Sequence, residues 1–107
     1  MTGRACVLGL SLLLAVSMHP AHAGSAANGQ RLTRSLCTNC HIVEPGGASK
    51  QGTADVPSFM AVAKKAAQTT GKVEAYILNP HPPMPQVQLT KAELADVAAY
   101  IMTLTAN

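Results

Sequence analysis

The feature that most constrains this chain is the segment CTNCH, Cys37 to His41, in which two residues separate the cysteines and a histidine follows directly. Three common chemistries use a Cys-x-x-Cys pair. A thioredoxin-like redox pair needs a βαβ scaffold, a structural zinc site needs four ligands, and exported proteins often hold a plain disulfide. Among residues 24–107, His41 and His81 are the imidazoles available for a Cys₂His₂ zinc site, whereas a disulfide needs no histidine.

A fourth chemistry uses all three residues of the segment. Two thiols can add to the two vinyl groups of haem as thioethers, and the imidazole that follows can then bind the iron as an axial ligand. Cys-x-x-Cys-His is the signature of c-type haem attachment. The segment therefore predicts one covalently bound haem c, held by Cys37 and Cys40, with His41 as an iron ligand.

The first 23 residues are typical of a secretory signal peptide. Arg4 precedes an apolar run, CVLGLSLLLAV, and the small-residue pattern AHA ends at Ala23. Such a segment is removed on export, which leaves residues 24–107 as one domain. The alternative is an uncleaved membrane anchor, although the run is shorter than the ~20 residues that a span needs.

The composition of residues 24–107 suggests that a cofactor occupies the interior. The domain is small, and its aromatic residues are Phe59, Tyr76 and Tyr100, with no Trp. Small domains often depend on a metal, a cofactor or disulfides. Without Arg4, seven Lys and Arg oppose five Asp and Glu, a formal charge of +2. A charge this small, without a basic stripe, gives no indication of nucleic-acid binding.

Apolar periodicity and capping signals predict an all-α chain with four short helices. Thr90 and Glu93 form a capping box before the last helix, and its apolar stripe leaves Asp96 off the buried face. Pro80 must end the third helix, and four prolines among residues 80–85 exclude regular structure there. The predicted helices cover residues 28–40, 58–68, 70–79 and 91–105, with a loop over 44–57.

The proline-rich loop supplies a candidate for the second axial ligand. Met84 stands between Pro83 and Pro85, where restricted backbone would hold a weakly binding thioether in place. A His/Met pair is typical of electron-transfer cytochromes and raises the reduction potential. His81 is the alternative ligand. Met60 and Met102 lie within predicted helices and are interpreted as core residues.

These motifs resemble those of small bacterial class I c-type cytochromes over residues 28–105. The resemblance implies the cytochrome c fold, in which short helices surround one haem and an N-terminal helix crosses the C-terminal one. It also implies that a glycine lets the two helices approach and that an aromatic residue covers the gap. The matching residues are Cys37, Cys40 and His41, then Pro83, Met84 and Pro85, and finally Gly29 and Tyr100.

The same resemblance implies a proline carbonyl that accepts a hydrogen bond from the proximal histidine. Pro57 matches this position, and Pro45 is the alternative. The family often binds the haem propionates through Trp, Tyr or Arg; here Trp is absent, and the candidates are Arg34, Lys50, Gln51 and Lys72. Lys64 and Lys65 are interpreted as a solvated helix face.

The resulting hypothesis is a periplasmic, monomeric electron carrier without enzymatic activity. It would exchange single electrons with an oxidase, reductase or dehydrogenase by transient docking. Two alternatives remain at this stage. A haem-based ligand binder or peroxidase-like protein would need an open sixth site on the iron, and a dedicated dehydrogenase subunit would copurify with its complex.

Overall fold

The computed structural model describes residues 24–47 and 56–106 of the 107-residue chain. Four α-helices follow in order: α1 (Ala26–Leu36), α2 (Phe59–Ala63), α3 (Thr70–Leu78) and α4 (Lys91–Thr103), and the 3₁₀ turn Leu104–Ala106 ends the described chain. No β-strand occurs within these two described ranges. The predicted all-α class is therefore confirmed. The predicted signal peptide, residues 1–23, lies outside the described residues.

Every helix begins at a Ser or Thr whose side-chain oxygen accepts a backbone N–H of the first turn. The four N-caps are Ser25, Ser58, Thr69 and Thr90. At Thr90 the predicted capping box is confirmed, because Glu93 Oε2 also accepts the Thr90 N–H at 2.8 Å. Local sequence signals thus determine where these helices begin.

The predicted bounds of two helices were wrong. The first helix begins and ends earlier than residues 28–40, and the backbone N–H of His41 instead closes a turn onto the Cys37 carbonyl at 2.8 Å. The second helix ends at Ala63 rather than at Gln68. There the Gln68 side-chain amide donates to the Val62 carbonyl at 2.8 Å, and Ala67 adopts a φ of 54°. This left-handed conformation is incompatible with a continuing helix.

Helix α4 forms the centre of the fold, since α1, α2 and α3 all pack against it. Its residues Val97, Ala98 and Ile101 are buried in the core together with Phe59 and Val73 from other helices. Within the described residues, no helix is long and apolar enough to cross a membrane.

Helices α1 and α4 cross at a glycine. Gly29 is buried, and a Cβ atom built there would lie 2.0 Å from the Asp96 carbonyl oxygen and 2.8 Å from Tyr100 Cβ. Both distances are far below van der Waals contact, so only glycine permits this approach. The glycine and the aromatic residue singled out in the sequence therefore meet at the crossing.

Asp96 secures the same crossing, although the sequence pattern places it off the buried face. Its side chain is 5% exposed. Its two carboxylate oxygens accept the Ser25 backbone N–H and the Asn28 side-chain amide, each at 2.6 Å. A carboxylate is favourable at this end of α1, because the first backbone N–H groups of a helix present partial positive charge.

Candidate functional site

A cavity of about 310 Å³ opens between the helices, and residues from all four of them line it. Its apolar wall includes Phe59, Val73, Val97 and Ile101. The core residues thus surround a space instead of filling it with large side chains. An apolar, helix-walled cavity of this kind suits a flat hydrophobic cofactor.

The attachment motif and the proline-rich loop reach this same cavity from distant parts of the sequence. Cys37, Cys40 and His41 line it, as do His81 and Met84. His81 is exposed, whereas Met84 is half-buried. The fold therefore brings together the residues that the sequence singled out for haem attachment and iron binding.

The imidazole of His41 is held by a backbone carbonyl. Its Nδ1 atom lies 2.7 Å from the Pro57 carbonyl oxygen, and its ring centroid is 5.1 Å from that of Phe59. A carbonyl oxygen can only accept, so Nδ1 carries the proton and donates it. The Nε2 atom then keeps its lone pair for a metal. The alternative partner, Pro45, is exposed and makes no such bond to His41 within the described residues.

The backbone after His41 is anchored on both sides. The Phe59 N–H donates to the Ile42 carbonyl at 2.9 Å, which ties the motif to the start of α2. The hydroxyl of Tyr100 donates to the Val43 carbonyl at 2.8 Å, which ties it to α4. Sequence patterns do not reveal this second role of Tyr100, because the bond joins residues 57 positions apart.

The surroundings of Cys37 do not favour a redox-active thiol. Cys37 and Cys40 form no disulfide with each other. Burial, and to a smaller degree the neighbouring Cys40, raise the pKa of the Cys37 thiol to about 11. Redox-active and nucleophilic cysteines need a lowered pKa, so a buried, neutral thiol at this position does not favour the thioredoxin-like interpretation.

The zinc alternative also lacks support where the chain is described. Across residues 24–47 and 56–106, no three or more His, Cys, Asp or Glu side chains are grouped so that they could hold a metal ion. The donor set of the cavity instead fits haem. Two thiols, an oriented imidazole and a thioether are the groups that c-type attachment and His/Met ligation use.

Two of the proposed propionate partners are engaged elsewhere. The Arg34 guanidinium pairs with Glu44 at 2.6 Å, which raises the pKa of Arg34 above its ordinary value. The Lys72 ammonium donates to the Ala67 carbonyl at 2.7 Å. Neither side chain lines the cavity. Lys50 and Gln51 lie outside the described residues.

Comparison with known proteins agrees with the fold and the cavity. The family model Cytochrome c matches residues 26–105. The chain is 41% identical over 98 residues to cytochrome c-552 of Bradyrhizobium diazoefficiens, covering 90% of this chain and 92% of the relative. It is 33% identical over 106 residues to cytochrome c of Chlamydomonas reinhardtii, covering 80% of this chain and 95% of that relative. No solved structure matches.

The all-helical fold and the cavity define a small c-type haem protein, and the chain belongs to the cytochrome c family. It is a haem electron carrier rather than an enzyme, and its cofactor is covalently attached haem c. The predicted family, fold class and cofactor are thereby confirmed.

Proposed function

We propose that this chain is a periplasmic monohaem cytochrome in which Cys37 and Cys40 hold the haem and His41 and Met84 bind its iron. The observation that carries the proposal is the 2.7 Å bond from His41 Nδ1 to the Pro57 carbonyl. It fixes the imidazole in the tautomer that binds a metal and makes Nε2 a stronger donor. When bound, the haem supplies an iron that takes up and releases single electrons.

The chain's own contribution is a rigid, apolar environment with fixed ligands. The bonds to Ile42 and Val43 hold the segment behind His41 in place. Apolar side chains from α2, α3 and α4 limit the access of water. Little therefore has to rearrange when the charge of the site changes, which favours rapid electron exchange.

The choice of Met84 over His81 follows from burial and loop geometry. Met84 is half-buried at the cavity wall, and its N–H closes a turn onto the His81 carbonyl at 3.0 Å. The neighbouring prolines restrict the loop further. A soft thioether favours ferrous iron, so this pair predicts a higher reduction potential than two imidazoles would give.

The ligand assignment is tested by the ferric optical spectrum of the purified holoprotein. The weak far-red band that comes from sulfur bound to iron should be present. It should disappear in Met84→Ala and persist in two control variants, His81→Ala and Met60→Ala. Met60 is a suitable control because it lies in α2 and packs against the core. A band that survives in Met84→Ala would exclude Met84 as the ligand.

Binding of carbon monoxide separates an electron carrier from a ligand binder. A reduced iron held on both sides should bind the gas slowly and incompletely at neutral pH, while Met84→Ala should bind it readily. Rapid, complete binding by the unsubstituted protein would show an open sixth site and refute the proposed carrier function.

We also propose export to the periplasm with cleavage after Ala23, which gives a domain of residues 24–107. The support is the sequence of the first 23 residues. The test is the intact mass of haem-loaded protein from the periplasmic fraction. A mass that includes residues 1–23, or recovery only with membranes, would favour the uncleaved anchor.

The redox partners are proposed to dock transiently at the cavity edge where side chains are exposed. Leu78 lies in α3 beside the cavity-lining Ile77, and it is 55% exposed without lining the cavity itself. A small apolar contact surface suits a short-lived encounter between a monomeric carrier and its partner. A stable complex recovered from native periplasm would instead favour a dedicated dehydrogenase subunit.

A further inference from the structure

The cavity wall contains few polar groups that could receive the carboxylates of a haem. Haem carries two propionates, and burying a carboxylate without a partner is costly. Apart from the attachment motif, the polar side chains on the wall are those of Lys65, Tyr76 and His81. Among the described residues that line the cavity, Lys65 is the only lysine or arginine.

The ammonium group of Lys65 is held against an aromatic ring. Its Nζ atom lies 5.0 Å from the centroid of the Tyr76 ring, within the range of a cation–π interaction. This contact joins the turn after α2 to α3. It restricts a long, flexible side chain that would otherwise sample many rotamers in solvent.

The early end of α2 explains why Lys65 is here and not on an outer helix face. Helix α2 ends at Ala63, and Lys65 lies in the turn that Ala67 completes with its positive φ. Lys64, the C-cap of that helix, is equally exposed but does not line the cavity. Two adjacent lysines therefore differ in their relation to the site.

We propose that Lys65, positioned by the Tyr76 ring, pairs with a propionate carboxylate of the covalently bound haem and raises its reduction potential. The proposal rests on the proposed function, because it requires the haem to occupy this cavity. Tyr76 is a positioning residue that acts through Lys65.

The direction of the effect follows from charge. Ferric haem carries one more positive charge than ferrous haem, so a nearby cation disfavours the ferric state. Loss of Lys65 removes that cation and also leaves the carboxylate unpaired. Both changes stabilise ferric iron, so both lower the potential.

The experiment is a redox titration of holoproteins at low ionic strength, where charge effects are least screened. At a fixed ambient potential, Lys65→Gln should lower the ratio of reduced to oxidised protein about threefold or more. For one electron, at 59 mV per tenfold change, this corresponds to a decrease in the reduction potential of about 28 mV. Lys64→Gln removes the same charge one residue away and should cause less than half of that shift. Lys65→Arg keeps the charge and should keep the potential.

Variants of Tyr76 test the positioning role. Tyr76→Leu removes the ring and should lower the potential in the same direction as Lys65→Gln. The double variant should show no further decrease beyond Lys65→Gln, since the ring acts through the lysine. Tyr76→Phe retains the ring and should retain the potential. Lys65 and Tyr76 line the cavity, so the haem absorbance of every variant is measured to check that the cofactor is retained.

Equal shifts in Lys64→Gln and Lys65→Gln, or no shift in either, would overturn the proposal. So would an additive double variant. The far-red band of each variant is recorded in the same titration. If the band is intact while Lys64→Gln and Lys65→Gln shift the potential equally, the inference about Lys65 fails and the ligation by His41 and Met84 stands. If the band is missing in every protein, the ligation itself is refuted.

Discussion

The crossing of α1 and α4 gives the sharpest test of the fold, through the substitution Gly29→Ala. The added Cβ would lie 2.0 Å from the Asp96 carbonyl oxygen, whereas ordinary contact begins at 3.4 Å. The obstacle is backbone, which cannot rotate out of the way. The helices must therefore separate by about 1.4 Å.

That separation also affects the bonds of the Asp96 carboxylate. Its two 2.6 Å contacts, to Ser25 and Asn28, would lengthen to about 4 Å, beyond hydrogen-bond range. Overpacking costs about 1–3 kcal/mol, and hydrogen bonds to a charged group contribute about 1.5–3 kcal/mol each. The higher helix propensity of Ala offsets this loss of stability by at most about 1 kcal/mol. The expected loss is at least roughly 3 kcal/mol.

The assay is thermal unfolding of the oxidised holoprotein, followed by far-UV circular dichroism. A loss of about 3 kcal/mol corresponds to a decrease in Tm of roughly 12–24 °C for a domain of this size. Gly71→Ala is the matched control, because Gly71 lies in α3 and a Cβ built there meets nothing within 4 Å. It should be neutral or stabilising by up to about 1 kcal/mol. A Gly29→Ala protein as stable as this control would refute the close-approach argument.

Two further predictions concern the C-terminal helix. Tyr100→Phe should destabilise the holoprotein by about 1 kcal/mol, since the buried Val43 carbonyl loses its 2.8 Å donor; an unchanged unfolding midpoint would mean that water replaces the hydroxyl. Hydrogen bonds from the Thr90 backbone N–H and hydroxyl lower the pKa of Glu93 in the folded protein from its ordinary value of 4.5. The stabilisation of the folded protein by ionised Glu93 is therefore fully present above about pH 4.5, and it is lost as the pH falls through the lowered pKa of Glu93 in the folded state. When the free energy of unfolding is measured against pH, the unsubstituted protein should show this loss and Glu93→Gln, which keeps a capping side chain without the charge, should not. Parallel curves of unfolding free energy against pH for the two proteins would contradict this role of Glu93.

Local chemistry made much of this protein predictable from its sequence. Helix α3 was predicted over 70–79 and runs from Thr70 to Leu78, because Thr69 caps its start and Pro80 excludes its continuation. The capping box of α4 was predicted for the same kind of reason. The attachment motif is equally local, since two thioethers to one macrocycle require cysteines at a fixed short spacing.

The contacts that a sequence pattern misses in this fold join residues that are distant in the chain. At the start of α1, Ser25 caps the helix locally, and its backbone N–H also donates to Asp96, 71 positions away. Asp96 itself is a charged residue, and a sequence pattern assigns such a residue to solvent. Its burial is stable only because a partner helix supplies donors.

The amino-acid sequence was enough to predict the cofactor and the helical class and to propose the residues that hold the haem, because these depend on residue type and on spacing over a few positions. Tertiary structure alone decided which carbonyl orients His41, that Tyr100 anchors Val43, and that Lys65 rather than Lys64 reaches the cavity. The bonds of His41 and Tyr100 join residues 16 and 57 positions apart, and the place of Lys65 depends on how the turn after α2 packs. Their energies exist only after the helices have packed, so no local pattern encodes them.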